Sequence, residues 1–275
     1  MTLACDRVPL LVASKKSLPT VKKLPDFSPQ TVLMTPENSK RNQQWTALFE
    51  VVICCGFPTQ LLFVGILAML GIASTDTSGT LSISYIFLLS ISDTILLLFL
   101  IFYFLRQRQE NPVEVFLGRR QFRGEFLFGL MLTPLILGIT LTSATLLHHL
   151  WPTLRNVPEN PFTALLTSPM NVALFTTAAV IAGGIREELQ RAFILLRFDQ
   201  HLGGAKVGLV IFSLVFGLGH ALQGWDAAII TALLGALWGS IYLLRRSVIS
   251  TIVSHTSFNI VEILLFLTGV SNSSS

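Results

Sequence analysis

The sequence predicts an all-α polytopic membrane protein, a bundle of about seven to eight transmembrane helices. Three observations carry that prediction. Charged residues make up 12% of the 275 residues, where an average soluble domain has about 25%. Hydrophobic residues make up 52%, and mean hydropathy is +0.67. Long apolar runs recur from residue 51 onward without the period-two alternation that a transmembrane barrel requires. The same composition excludes disorder, a coiled coil and a disulfide scaffold. Phe supplies 20 residues against four Trp and three Tyr, a bias suited to lipid-facing packing.

The elements follow in order. Residues 1–45 read as a disordered basic cytoplasmic tail: Lys15, Lys16, Lys22, Lys23, Lys40 and Arg41 outweigh its acids. It lacks the long apolar core of a cleaved signal. Crossing a hydrocarbon layer of about 30 Å takes roughly 20 helical residues. Val51–Ala73, Ile83–Leu105 and Phe126–Leu147 meet that length and make an N-terminal membrane region, 46–160. Val172–Leu196, Val207–Leu222, Ala227–Leu244 and Val248–Leu267 follow, giving a second region, 161–270, and a short tail, 271–275. No internal repeat is visible.

Basic residues orient these segments. Arg106, Arg108, Arg119, Arg120 and Arg123 separate segments two and three; Arg197 and Lys206 separate four and five; Arg245 and Arg246 separate six and seven. Seven alternating crossings put all of them, with the N-terminal tail, on one side, which the positive-inside rule makes cytoplasmic. The expected location is a plasma (inner) membrane with a cytoplasmic N-terminus. Net charge is +4, but the cations flank apolar runs instead of gathering on one face, so nucleic acid is not an expected partner. The cysteines, Cys5, Cys54 and Cys55, show no metal or redox spacing.

Charges inside a span cost about 2.5–3.5 kcal/mol each by insertion scales, so each one present needs a reason. Segment four carries Arg186-Glu187-Glu188-Leu189-Gln190-Arg191. Arg191 stands i+4 from Glu187 and i+3 from Glu188, so it could brace either carboxylate. Segment five carries Phe216 one turn before His220, and segment seven carries His255 one turn before Asn259. A carboxylate can act as general base, neutral imidazoles can orient water or bind a metal, and Asn can donate to a developing oxyanion. Three segments aiming such groups at one bundle interior suit amide hydrolysis. Straight full-length helices would leave His220 far from His255 and Glu187. A tilted or shorter fifth helix, or a water-filled cavity, is therefore required.

Other polar residues fit structural readings. Asp93 is a lone acid among Ser and Thr. His148 and His149 lie beside Trp151 at a helix boundary. Gln223 and Trp225 rim the same cavity, and Gly235 and Gly239 have small-residue packing spacing.

In order and membrane context, these motifs resemble those of the CAAX prenyl protease and bacteriocin-processing (CPBP, or Abi) family of intramembrane proteases. That family carries a double Glu with a following Arg, then FxxxH, then HxxxN or HxxxD, on successive helices. Here they are Glu187-Glu188 with Arg191, Phe216 to His220, and His255 to Asn259, within about residues 181–260. The family spacing is EExxxR; this chain reads EExxR, with Ala192 in the Arg position. Either the Glu pair aligns and Arg191 comes one residue early, or Arg191 aligns and Arg186 replaces the first Glu. The intact double Glu favours the first alignment.

The resemblance implies an intramembrane endopeptidase of the CAAX prenyl type, acting on a peptide or protein, prenylated or plain, at the lipid bilayer. Glu187 would be the base and Glu188 its support. His220 and His255 would orient the water or, with Glu187, hold a divalent metal such as zinc. Asn259 would stabilise the oxyanion, Arg191 would brace a glutamate, and Phe216 would wall the pocket. Metallo- and metal-free glutamate mechanisms use the same atoms. A non-catalytic immunity or scaffold protein of the same fold, or a transporter using the intramembrane charges, are the competing readings.

Overall fold

The computed structural model describes residues 36–76 and 79–269. The expected tails therefore lie largely outside the described residues. The boundary drawn at residue 45 falls within a helix that begins at Pro36. Among the described residues every regular element is a helix, and the sole β feature is an isolated antiparallel bridge between Thr75 and Leu81.

The described residues form ten α-helices: α1 (Pro36–Cys54), α2 (Phe57–Met69), α3 (Ile83–Gln107), α4 (Pro112–Phe116), α5 (Phe122–Leu150), α6 (Pro169–Ala178), α7 (Glu187–His201), α8 (Ala205–Leu218), α9 (Trp225–Arg245) and α10 (Ile249–Leu267). Between α6 and α7 the chain winds as a π-helix over Ala179–Arg186.

Local chemistry sets several boundaries. Ser82 caps α3 by accepting from the Tyr85 amide at 3.4 Å, and Ser168 caps α6 by accepting from the Asn171 amide at 3.2 Å. Pro112 and Pro169 occupy first helical positions, where a missing N–H costs nothing. The first apolar run, read from the sequence as one segment, breaks: α1 and α2 meet at 44°. Pro58 has no N–H to offer the Cys54 carbonyl one turn earlier. The Gln190 side chain supplies the donor instead, at 2.8 Å. That hydrogen bond ties the break to α7 beside its two glutamates.

Polar contacts identify the two ends of the bundle. At one end, Arg120 donates to the Arg245 carbonyl at 2.9 Å, the Val248 amide donates to the Phe116 carbonyl at 2.7 Å, and Arg108 reaches His201. Arg106, Arg119, Arg123, Lys206 and Arg246 are exposed near this end. At the other end, His148 pairs with Asp226 at 2.8 Å and Asn160 donates to Gln223 at 3.1 Å. The structural readings of His148 and Gln223 thus become specific contacts. The chain passes between the ends in alternating directions, and the basic loops collect at one end.

The passes are unequal. Among the described residues four helices, α3, α5, α9 and α10, are long and apolar enough to cross a membrane, and the bent α1–α2 pair makes a fifth when it is counted as one span. These helices make the chain an integral membrane protein. The α6–π–α7 pass is divided into stretches of 10, 8 and 15 residues, each too short by itself, and α8 has only 14 residues, about 21 Å. The expected seven to eight spans are therefore four to five by length and apolarity. A Gly203–Gly204 turn with positive φ at both residues leads straight into α8.

Candidate active site

The site is built around the π-helical turn. π winding is rare and widens a helix, changing which residues face the bundle. Here it presents Gly183 and Gly184 to α10. A Cβ on Gly184 would collide with Thr256 Oγ1, and one on Gly183 would lie 2.8 Å from Asn259 Nδ2. Two side chains reduced to hydrogen let α10 approach the π segment closely enough for Asn259 Nδ2 to donate to the Ala179 carbonyl at 3.2 Å.

That approach sets His255 against the first turn of α7. His255 Nδ1 bonds Glu188 Oε1 at 2.8 Å, and its Nε2 stands 3.9 Å from Glu187 Oε2. Arg191 grips the same Glu188 oxygen. Glu188 is 1% exposed and Arg191 0% exposed. An ionised Glu188 can only accept, so Nδ1 carries a proton, and Nε2 is the ring atom that faces Glu187. Trp238 stacks on the His255 ring at 3.9 Å between centroids and is held by donating Nε1–H to Ser254 Oγ at 3.0 Å. The Arg191 guanidinium lies over the rings of Phe216 (4.9 Å), Phe212 (5.3 Å) and Trp238 (5.7 Å). Gly239 leaves room for Leu209, whose Cδ1 an added Cβ would strike, and the Arg191 stem lies beside it.

Glu187 is held differently. Arg186 donates to its Oε1 at 3.2 Å and also binds Asp93 of α3. The two glutamates therefore have separate braces: Arg186 for Glu187 and Arg191 for Glu188. Asp93, which fits a lone hydrogen-bonded acid when read from sequence, is the buried anchor of the first brace.

The groups meet around one cavity of about 670 Å³. Glu187, His255, Asn259, Phe216 and His220 all line it. Glu188 and Arg191 sit behind its wall. It extends from the His255 level toward Asn160 and Gln223 at the far end of the bundle. The short α8 resolves the placement problem raised by the sequence, because His220 follows its last turn directly. His220 Nδ1 donates to the Phe216 carbonyl at 2.9 Å, and the Phe216 ring meets the imidazole edge-on at 5.0 Å. Among the described residues no group of three His, Cys, Asp or Glu side chains is arranged to hold a metal ion. The set Glu187, His220 and His255 shares a cavity without converging on one point, so the residues do not fit a resident metal.

Sequence reading missed three parts of this site. The Asp93–Arg186 pair joins residues 93 positions apart, a separation that carries no local signal. Trp238 reads as one more apolar residue of its helix. Glu262 lies one turn beyond Asn259 on the same face of α10, and its signal, a lone acid in an apolar run, was available.

Comparison with known proteins agrees with the motif reading. Residues 169–261 match the family model described as Rce1-like, Type II CAAX prenyl endopeptidase. This segment, about a third of the chain, runs from the start of α6 to the Asn259 turn of α10. No curated protein and no solved structure matches the chain.

Proposed function

We propose, with the Rce1-like segment as premise, that the chain is an intramembrane endopeptidase of the CAAX prenyl type in which Glu187 activates water. The observation that carries this reading is the 3.9 Å separation of Glu187 Oε2 and His255 Nε2 at the cavity wall. Two acceptors sharing one water stand about 4.5 Å apart when each hydrogen bond is about 2.8 Å. The gap is close to that spacing and lies on the cavity wall.

The steps follow from the donors and acceptors present. A water gives one hydrogen bond to Glu187 and one to His255 Nε2, leaving an oxygen lone pair for the scissile carbonyl carbon. As the C–O bond forms, Glu187 takes the proton and the carbonyl electrons move onto oxygen. The second N–H of Asn259, the first being bound to the Ala179 carbonyl, donates to that oxyanion. Collapse breaks the C–N bond, and the proton held by Glu187 passes to the departing amine. Glu188, locked by Arg191, fixes the His255 tautomer. His220, with Nδ1 engaged, keeps Nε2 for the substrate backbone.

The EExxR spacing fits this scheme. Arg191 at i+3 braces Glu188, and Arg186 serves Glu187, which supports the alignment that keeps the double Glu. The basic end is assigned to the cytoplasm, with the N-terminus, in a plasma (inner) membrane. The substrate is a peptide at the bilayer, prenylated or plain.

Detergent-purified protein given C-terminal peptides, with and without a prenyl group, tests the reading. Glu187→Gln should lower cleavage by about 10²–10⁴-fold, the usual contribution of a general base, while insertion and melting temperature stay unchanged. Full activity in that variant overturns the assignment. Cleavage should also survive chelation, since the candidate ligands do not converge.

A further inference from the structure

Glu262 is the carboxylate that the proposed mechanism leaves unused. It stands in the apolar run Phe258–Leu267 of α10, where a charge is costly and marks function by default. Among the described residues the buried carboxylates each have a basic partner: Asp93 has Arg186, Glu188 has Arg191, Glu50 has Arg197, Glu125 has Arg245 and Asp226 has His148; Glu262 is instead exposed. Glu262 has neither an ion pair nor a hydrogen bond among the described residues, and its side chain lines the cavity. His255, Asn259 and Glu262 fall at i, i+4 and i+7, one stripe of the helix, and Phe266 continues that stripe along the cavity wall.

The spacing has a meaning for a bound peptide. Seven residues of α-helix advance about 10 Å, and an extended chain covers that in about three residues at roughly 3.3 Å each. We infer that Glu262 is a specificity subsite that binds the cationic side chain of a substrate Lys or Arg about three residues from the scissile bond. This inference rests on the endopeptidase reading for what it calls scissile, but the binding of a cationic peptide does not depend on catalysis. Glu262 is exposed along this open cavity beside Phe258 and Phe266, so a cationic side chain laid against it is favoured over a neutral one by charge complementarity.

The test uses full-length protein in detergent and a series of labelled, otherwise neutral peptides carrying a single Lys, Leu or Asp at a scanned position. Binding is measured first on the Glu187→Gln variant. The Lys peptide should bind several-fold more tightly than its Leu counterpart, the usual size of an exposed ion pair. Glu262→Gln should abolish that difference without weakening the Leu peptide, and Glu262→Lys should transfer the preference to the Asp peptide. In cleavage assays with native Glu187, the Lys effect on kcat/KM should peak about three residues from the cut. Equal binding of Lys and Leu peptides, or equal weakening of both by Glu262→Gln, overturns the subsite. Charge-selective binding without any cleavage would retain the subsite and overturn the protease. Glu187-dependent cleavage blind to charge would do the reverse. Glu262→Gln is isosteric and removes a costly charge, so an unchanged or raised melting temperature accompanies the expected result.

Discussion

Gly184 shows how little space separates an assembled site from a scattered one. A single methyl there strikes Thr256 Oγ1 and drives α10 away from the π segment. Overpacking of this kind costs about 1–3 kcal/mol. Gly184→Ala should therefore lower the melting temperature by several degrees and reduce cleavage more than stability alone explains, because His255 rides on the displaced helix. Thr256→Ala removes the offending oxygen and should restore part of both losses in the double variant. Full additivity of the two changes would mean that the contact does not couple the helices. At this scale the sequence was a good guide to residue type and a poor guide to partnership. Adjacent acids at 187 and 188 and one-turn spacings at 216–220 and 255–259 are local signals. Which arginine holds which glutamate is decided by the π turn and by Asp93 on a distant helix, and neither has a local signature.

The C-terminal half of α7 packs a second charge network, remote from the cavity. Arg197, 0% exposed, donates to Glu50 of α1 and to Glu110 at 2.7 and 2.9 Å, while Arg108 donates to Glu50 at 2.8 Å. Removing one partner from such a network strands the others, at a cost of about 3–5 kcal/mol. Glu50→Leu should thus unfold the protein at much lower temperature, in contrast to a change at exposed Glu114. The Arg108 NH1 group also meets His201 Nε2 at 2.8 Å. Burial, reinforced by the charges of Arg108 and Arg197, pushes the His201 pKa below its ordinary value. The unfolded chain takes up this proton near pH 6.5, and the folded chain only at lower pH. Stability should decline as pH falls below about 6.5, and His201→Gln, which can still accept from Arg108, should flatten that part of a melting-temperature profile. An identical slope in both proteins would remove His201 from the account. None of this network was read from the sequence, where Glu50, Glu110 and Arg197 pass as ordinary charges at helix ends. The α1–α2 break is a different case. Gly56-Phe57-Pro58 was legible as a helix stop and yielded to the apolar length around it.

For the molecule as a whole, composition fixed the class, and basic loops anticipated the alternating passes that bring them to one end. Counting spans by apolar length was less reliable, because helices that line a cavity need not be long or uniformly apolar. The fourth pass, α6–π–α7, carries its charges into the protein interior, and α8 stops early to turn His220 inward. Neither departure follows from hydropathy, which measures what faces lipid.

The brevity of α8 also has a consequence for the membrane itself. About 21 Å of helix beside a hydrocarbon layer of about 30 Å leaves a hydrophobic mismatch of about 9 Å on one flank. Its lipid-facing side is apolar, with Val210, Leu214 and Leu218 exposed. The adjoining leaflet must therefore thin or pucker toward the His220 end of the cavity. Acyl-chain length then becomes a control on the protein. Reconstituted into bilayers of graded thickness, it should cleave fastest in short-chain lipid, with a several-fold fall as the chains lengthen. A flat response would mean that the flank is sealed by protein and that the bilayer is indifferent to it.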